Sequence, residues 1–304
     1  MFHFATLKEK ILMKRAIFMA TILLSSMGLV NITLADESPD SIFAPLFKSH
    51  FGDDHFGATV GYKAWFNTWD LPIDRPFDGQ VIIVDSGTEI SHIPIVSLRY
   101  KNFFVSGSYF TKTDYDFDKM YDEQGYYSSD LDSYGNVMFI EENISAERSE
   151  WDITTGYYVN PNLAITFGYK NIERVYHHSY SHSFVQSSGE IVTYTGQHQD
   201  NMKTKGLTLG LTSSVPLGRG FGVYSNFAYG RLASTWGMDN LSIPYYLGEM
   251  GLTYSLRFKN HTIDAASFHA GYRFQRIDFE GTIFKEQTVK DRTDGFVFGV
   301  NFNF

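Results

Sequence analysis

The final segment of the chain constrains the fold more than any other feature. Over Phe296–Phe304 every second residue is apolar, and valine, glycine and asparagine occupy the positions between. A period of two is that of a β-strand, whose side chains alternate between its two faces. The same alternation recurs in segments around Trp151, Leu163, Leu207 and Tyr246. We therefore predict an all-β protein.

The two faces of these segments differ sharply in chemistry. One face carries Leu, Ile, Phe and Tyr, and the other carries mostly Thr, Ser and Gly. Such strands suit a barrel with its apolar face in lipid, where the sheet must close because backbone groups find no water there. The final segment resembles the C-terminal recognition strand of bacterial outer-membrane β-barrels, with Phe302 and Phe304 as the assembly signal. This resemblance implies a transmembrane antiparallel β-barrel.

The N-terminal segment is typical of a cleaved secretory signal. Lys14 and Arg15 precede an apolar run over Ala16–Val30, and Thr33 and Ala35 suit the small-residue positions of a cleavage site. We predict a signal peptide over residues 1–35, a short periplasmic segment over 36–54 and the barrel over 55–304. The mature chain would carry 21 basic and 33 acidic residues. This balance argues against nucleic acid as a partner.

Turn residues predict the number of strands. Short connections are expected at 101–102, 160–162, 218–220 and 259–260. Longer polar connections are expected at roughly 70–90, 118–144, 182–199, 238–244 and 281–292. Nine connections join ten strands, and the short turns mark the periplasmic side. Twelve strands remain an alternative, although we interpret the extra segments, such as 81–84, as hairpin extensions above the membrane.

Aromatic residues are expected to form two girdles at the membrane interfaces. The periplasmic girdle would contain Phe103, Tyr157, Phe221, Phe258 and Phe304. The outer girdle would contain Phe66, Trp69, Tyr109, Trp151 and Trp236.

The predicted inward faces carry more basic than acidic side chains. The basic residues are Lys63, Arg99, Lys112, Arg148, Lys170, Arg174, Arg257 and Arg273. The acidic residues are Glu150, Asp152 and Glu249. In an open pore, such a basic ladder favours anions. In a narrow barrel, however, such charges pair with one another and fill the interior.

An acidic segment follows the predicted third strand. The alternation places Asp114, Asp116 and Asp118 on the inward face as a rim of carboxylates at the outer mouth. Such a rim would gather divalent cations or steer positively charged solutes. The alternative is a solvated acidic loop. We predict no bound metal and no cofactor.

Short segments of the sequence resemble parts of the active sites of two families of barrel enzymes. Asp114 and Asp116 are similar to one half of the site of omptin-type proteases, but the Asp-x-His half is missing, since residues 238–244 contain no His. His177 and Ser179 match the short His-x-Ser string of outer-membrane acyl hydrolases. No Asn or Glu near His177 in the sequence has a spacing that would let it orient the imidazole, so no catalytic residue is assigned.

Three functions remain open from the sequence. The basic ladder favours a porin-like passive channel for small solutes in the outer membrane of a Gram-negative bacterium. The alternatives are a non-conducting surface barrel that acts structurally or adhesively through its outer loops, and a lipid hydrolase that uses His177 and Ser179. Expected partners are outer-membrane lipid and lipopolysaccharide, together with the barrel-assembly machinery, which would bind the C-terminal strand. The sequence leaves the oligomeric state undetermined.

Overall fold

The computed structural model describes most of the chain after residue 55. The described residues are 56–74, 81–117, 120–122, 137–185, 188, 190–236, 239–258, 263–279 and 289–304. The expected signal peptide and periplasmic segment lie outside them, as does the 259–260 turn. The described residues include no helix long and apolar enough to cross a membrane.

The described residues form eleven β-strands joined in a single sheet. The strands are β1 (Phe56–Asp74), β2 (Val81–Tyr100), β3 (Phe103–Asp116), β4 (Met120–Asp122), β5 (Val137–Asn160), β6 (Leu163–Val185), β7 (Ile191–Gly218), β8 (Phe221–Trp236), β9 (Asp239–Arg257), β10 (Ala265–Phe279) and β11 (Val289–Asn303).

The sheet closes into an antiparallel barrel with ten places around its wall. The last strand pairs with the first, from Thr59 opposite Asn303 to Asp70 opposite Arg292. β3 pairs with β5, and the three residues of β4 continue along the same edge of β5. Because β3 and β4 share one place, the prediction of a ten-stranded transmembrane barrel is confirmed.

Tight turns join the strands at the predicted periplasmic end. Residues 101–102, 161–162 and 219–220 form turns. Gly220 has a φ of +88°, and a Cβ at this position would lie 2.9 Å from the carbonyl oxygen of Ser255. Glycine adopts this backbone conformation without strain and leaves room for the neighbouring strand.

An apolar band covers the outward face of the barrel next to these turns. On β11 the band contains Phe296, Phe298 and Phe302, and on β7 it contains Leu207 and Leu209, all exposed. Its outer limit is marked by aromatic residues that include Phe66, Tyr109, Trp151, Tyr229 and Tyr272. Trp69 does not belong to this girdle, because it lies on the inward face of β1 and is fully buried.

Several strands continue far beyond this band. About 9–11 residues cross the membrane in a tilted strand, but β6 has 23 residues and β7 has 28. Strands occupy part of each of the loops expected at 70–90, 182–199, 238–244 and 281–292, which leaves shorter connections at 75–80, 186–190, 237–238 and 280–288. We refer to residues 137–147, 173–185 and 191–203 as the β5–β7 extension.

A β-bulge interrupts the pairing of β3 with β5 between Phe110 and Thr113. Before the bulge the even-numbered residues of β3 face inward, and after it the odd-numbered residues do, so that Thr113 and Tyr115 are buried. An extra residue in one strand has this effect because side chains alternate with a period of two. The bulge reverses the orientation of every later side chain in β3.

Candidate functional site

The outer half of the barrel interior holds a cluster of aromatic side chains around Trp69. The ring of Trp69 lies 5.1 Å from that of Tyr115, 5.5 Å from Phe117 and 5.9 Å from Tyr176. Its indole Nε1 donates a hydrogen bond of 3.1 Å to Asp291. Burial raises the pKa of Tyr115 to about 12, because the phenolate is disfavoured away from water. The interior is therefore partly apolar, whereas the sequence indicated only polar residues and glycine.

Glu150 on β5 is the centre of a buried ion-pair network. Its carboxylate accepts hydrogen bonds from Arg148, lies 2.7 Å from the Nζ of Lys170, and accepts a 2.9 Å hydrogen bond from Gln275. Asp152 lies 3.7 Å from the same lysine nitrogen. Glu150 and Gln275 belong to β5 and β10, which are five places apart in a ten-place wall. This contact therefore spans the width of the barrel.

Two further ion pairs cross the interior, and a third joins adjacent strands. Glu249 on β9 lies 2.5 Å from the Nζ of Lys63 on β1 and 3.2 Å from Nη1 of Arg273 on β10. Arg174 on β6 lies 3.1 Å from Asp291 on β11, which is also five places away around the wall. The Lys63–Glu249 and Arg174–Asp291 contacts join walls that a water-filled pore would separate, whereas Arg273 and Glu249 are paired neighbours on adjacent strands.

Asp291 is a partner that the sequence reading missed. Its position fell within the loop expected at 281–292, whereas β11 begins at Val289. Asp291 lies an even number of residues before Thr293 and Val297, so it shares their inward face, and all three residues are buried. Extension of the C-terminal alternation by a few residues would have placed Asp291 inside the barrel.

The other predicted basic residues lie at the ends of the interior or outside it. Arg99 donates a 2.9 Å hydrogen bond to the carbonyl of Lys101 in a periplasmic turn and lies over the ring of Tyr158. Arg257 is exposed at the end of β9. Neither residue belongs to the buried ion-pair network at the centre of the barrel.

The predicted placement of three outer-mouth residues is wrong. Lys112 lies within the β3 bulge, Asp114 and Asp116 follow it, and all three are exposed. Lys112 pairs with Glu147 on β5 at 2.7 Å. Asp118 lies outside the described residues. Among the residues the structure describes, Asp114 and Asp116 therefore form no carboxylate rim inside the mouth.

A groove of about 590 Å³ lies on the β5–β7 extension and reaches the end of β3 at Asp116. His177 and Ser179 on β6 line it together with residues of β5 and β7, the two strands that pair with β6. The lining residues are Asp116, Phe117, Asn143, Ile144, Ser145, His177, His178, Ser179, Gln197, His198 and Gln199. Within the described part of the chain, no three His, Asp or Glu side chains are placed to hold a metal ion.

Strand pairing supplies His177 with neighbours that are distant in sequence. Oε1 of Glu147 lies 3.9 Å from Nε2 of His177. Asn143 and Gln197 are the cross-strand partners of Ser179. The sequence revealed neither relationship, because both depend on the register between strands.

Comparison with known proteins identifies the architecture. No family model matches the chain, and no curated protein matches its sequence. The outer membrane protease OmpT from Escherichia coli has a similar structure, with a TM-score of 0.52 and 13% identity over 84% of this chain and 98% of that one. The chain has the fold of a Gram-negative outer-membrane β-barrel. At this identity, the likeness extends to the fold alone.

Two weaker structural matches are also outer-membrane proteins. Ail, the attachment invasion locus protein of Yersinia pestis, has a TM-score of 0.32 and 7% identity over 83% of this chain and all of that one. The toluene transporter TodX of P. putida has a TM-score of 0.28 and 8% identity over 84% of this chain and 91% of that one. Neither likeness is close enough to carry a functional argument.

Proposed function

We propose that the protein is a non-conducting outer-membrane barrel that acts through its extracellular surface. The observation that carries this proposal is the contact between Gln275 and Glu150, which joins opposite walls through buried side chains. Arg174 and Asp291 make a second such contact. A passive channel needs a continuous aqueous path, and these side chains occupy the place where that path would run.

The charge balance of the interior supports the same proposal. The sequence suggested an excess of basic residues that would attract anions. Lys63, Lys170 and Arg273 each lie beside a buried carboxylate of Glu150 or Glu249. Paired charges of this kind stabilise a filled interior and offer little net charge to a passing anion.

The β5–β7 extension offers the surface for such a function. Its strands continue for many residues beyond the apolar band and expose polar side chains such as Gln197, His198 and Gln199. Exposed segments held on a rigid scaffold are common sites of binding.

Single-channel recording in a planar bilayer tests this proposal. Purified residues 36–304 should insert without steady conductance when a salt gradient is applied. Steady conductance with a reversal potential that indicates anion preference would overturn the proposal and support the channel instead. A heat-modifiable band on gels, which runs faster when unboiled, would show that the inserted protein is folded.

A second candidate function is ester hydrolysis in the groove of the β5–β7 extension. The observation that favours it is the position of His177 between Glu147, 3.9 Å away, and Ser179, two residues along the same strand face. In this arrangement Ser179 would attack an acyl carbonyl and His177 would carry its proton to the leaving alcohol, after which water would release the acid. Gln197 or Asn143 would donate to the oxyanion.

The height of the groove limits the substrate of this second candidate. His177 lies eight residues beyond Tyr169, which belongs to the outer end of the apolar band. At about 3.3 Å per residue in a tilted strand, this places the groove well above the ester bonds of membrane lipids. A soluble ester therefore fits better than the lipid substrate suggested by the sequence.

Activity measurements test the second candidate. The Ser179→Ala variant should lose hydrolysis of p-nitrophenyl butyrate, and Glu147→Gln should reduce it. Ser181→Ala, two residues further along β6 and outside the groove lining, is the matched control. Equal rates in Ser179→Ala and the unmodified protein would eliminate this function.

A further inference from the structure

Strand β7 rises above its neighbour β8 and leaves one edge of the sheet open. Pairing between β7 and β8 ends where Lys203 lies opposite Thr235. On its other side β7 pairs with β6 continuously up to Ile191. Among the described strands, Thr195–Asn201 therefore has a partner on one side only. We refer to this segment as the β7 edge.

The β7 edge lacks lysine, proline and bulges, three of the features that protect open edges. Natural proteins shield open edges with lysine, proline, bulges or covering segments. Thr195–Asn201 contains no Lys, Arg or Pro, and its pairing with β6 shows no register shift. Gln197, His198 and Gln199 are exposed. A regular edge of seven residues spans about 23 Å at 3.3 Å per residue.

Among the described strands, no neighbour pairs with the open side of the β7 edge. β8 ends at Trp236 and β9 begins at Asp239, and these strand ends lie below the β7 edge. A second copy in the same membrane would present its own β7 running in the same direction, so the two edges would meet in parallel. An incoming antiparallel strand would instead run in the direction of β8 and continue its place in the wall.

We propose that the β7 edge binds an extended peptide segment of a partner protein by antiparallel strand addition. This inference rests on the proposed function, because it names the kind of partner that the extracellular surface would bind. In strand addition the backbone hydrogen bonds provide affinity, and alternate side chains provide specificity. No chemical step is involved.

The charges of the edge specify the peptide further. Asp200 is the one formally charged residue of Thr195–Asn201, and its carboxylate lies 3.0 Å from Nε2 of His198. The remaining side chains are neutral amides and hydroxyls or glycine, apart from the imidazole. Asp200 lies near the membrane end of the edge, which the N-terminal part of an antiparallel peptide would meet. The fitting peptide is uncharged apart from one basic residue close to its N-terminal end.

Hydrogen exchange measured by mass spectrometry on the folded protein in detergent tests this proposal. The probe is the synthetic peptide Lys-Thr-Val-Thr-Val-Thr-Val. At nine-tenths occupancy, amides of the β7 edge that face the open side should exchange about tenfold more slowly. Val175–Ser181 of β6 is paired on both sides and serves as the internal control, with no change expected. Unchanged exchange across the β7 edge would overturn the proposal.

Two sets of variants separate edge pairing from nonspecific binding. Successive N–H groups of a strand point to opposite sides, and proline has no N–H group. Of the variants Gln197→Pro and His198→Pro, one therefore loses a donor on the open side, and the other loses a donor that faces β6. The variant that retains heat-modifiable folding should lose peptide protection. Asp200→Asn should abolish the preference for the lysine peptide over one that begins with glutamate, while backbone protection remains.

The outcomes distinguish this inference from the proposed function. If the protein shows no conductance and the peptide does not slow exchange at the β7 edge, the edge proposal is overturned, but the proposal of a non-conducting surface barrel is not. Steady conductance would overturn the proposed function, whatever the exchange result. Equal protection by a proline-interrupted version of the probe peptide would also overturn strand addition, because proline interrupts backbone pairing.

Discussion

Nε2 of Gln275 donates a hydrogen bond of 2.9 Å to Oε1 of Glu150 across the full width of the barrel. Both side chains are buried, and they belong to strands on opposite sides of the wall. The interior at this level is therefore filled by side chains, and its buried charges lie beside one another rather than in water. Its stability depends on a few buried charges.

Removal of the Glu150 carboxylate should destabilise the barrel strongly. In Glu150→Ala, Arg148 and Lys170 lose the anion that compensates them, although both remain buried. Loss of one partner from a buried ion pair typically costs about 3–5 kcal/mol. Urea unfolding of the folded protein in detergent measures this as a lower transition midpoint.

An exposed ion pair provides the matched control for this prediction. Lys203 and Glu173 lie 3.0 Å apart, and both side chains are largely in water. Glu173→Ala should change the free energy of unfolding by less than about 1 kcal/mol. Equal destabilisation by Glu173→Ala and Glu150→Ala would contradict a packed interior.

Cysteine labelling should reveal the reversal of side-chain orientation after the β3 bulge. The chain contains no cysteine, so each substitution introduces a single thiol. We expect Asp114→Cys and Asp116→Cys to react rapidly with a water-soluble maleimide in the folded protein. Tyr115→Cys should react slowly, because position 115 is fully buried. The opposite pattern would show that the alternation continues without a bulge.

The sequence predicted the barrel because the alternation of side chains is a local property of each strand. The ten places and the periplasmic turns follow from such local signals, as at Lys101 and Gly220. The outer connections were placed less well, because polar strands above the membrane have the same composition as loops. Residues 191–199, for example, belong to β7 rather than to a loop.

The candidate sites depended on relationships that a single strand does not encode. One bulged residue moved Lys112, Asp114 and Asp116 to the outer face. The proximity of Glu147 to His177 follows from the register of β5 against β6. Contacts across the interior, such as that between Arg174 and Asp291, depend on barrel closure. Within a strand, the alternation of side chains predicted the inward and outward faces correctly only up to the first β-bulge.

Deletion of Phe304 should impair assembly of the barrel. Its backbone N–H donates a 2.9 Å hydrogen bond to the carbonyl of Ala58, and its carbonyl accepts a 3.1 Å bond from Ala58. The deletion therefore removes both the terminal aromatic ring and the last rung of the closure between β11 and β1. The amount of heat-modifiable protein in isolated outer membranes measures the effect. Phe296→Ala, which removes another exposed ring from β11 but no backbone, is the control.

Lys205 and Arg231 should bind the phosphate groups of outer-leaflet lipopolysaccharide. Both are exposed immediately above Leu207 and Tyr229, which belong to the apolar band, and they lie on the adjacent strands β7 and β8. A basic residue near an anionic lipid surface contributes about 1 kcal/mol, so Lys205→Gln and Arg231→Gln should each weaken binding several-fold.

The measurement is the rise in thermal unfolding temperature when lipopolysaccharide is added to the detergent-solubilised protein. A ligand that binds only the folded state stabilises it in proportion to its affinity, so both variants should show a smaller rise, and added salt should reduce the rise in the unmodified protein. Arg257→Gln removes the same charge at the periplasmic end and should behave as the unmodified protein does. An equal loss in Arg257→Gln, or equal stabilisation by dephosphorylated lipid, would show that net charge or acyl chains, rather than this pair of residues, determine the binding.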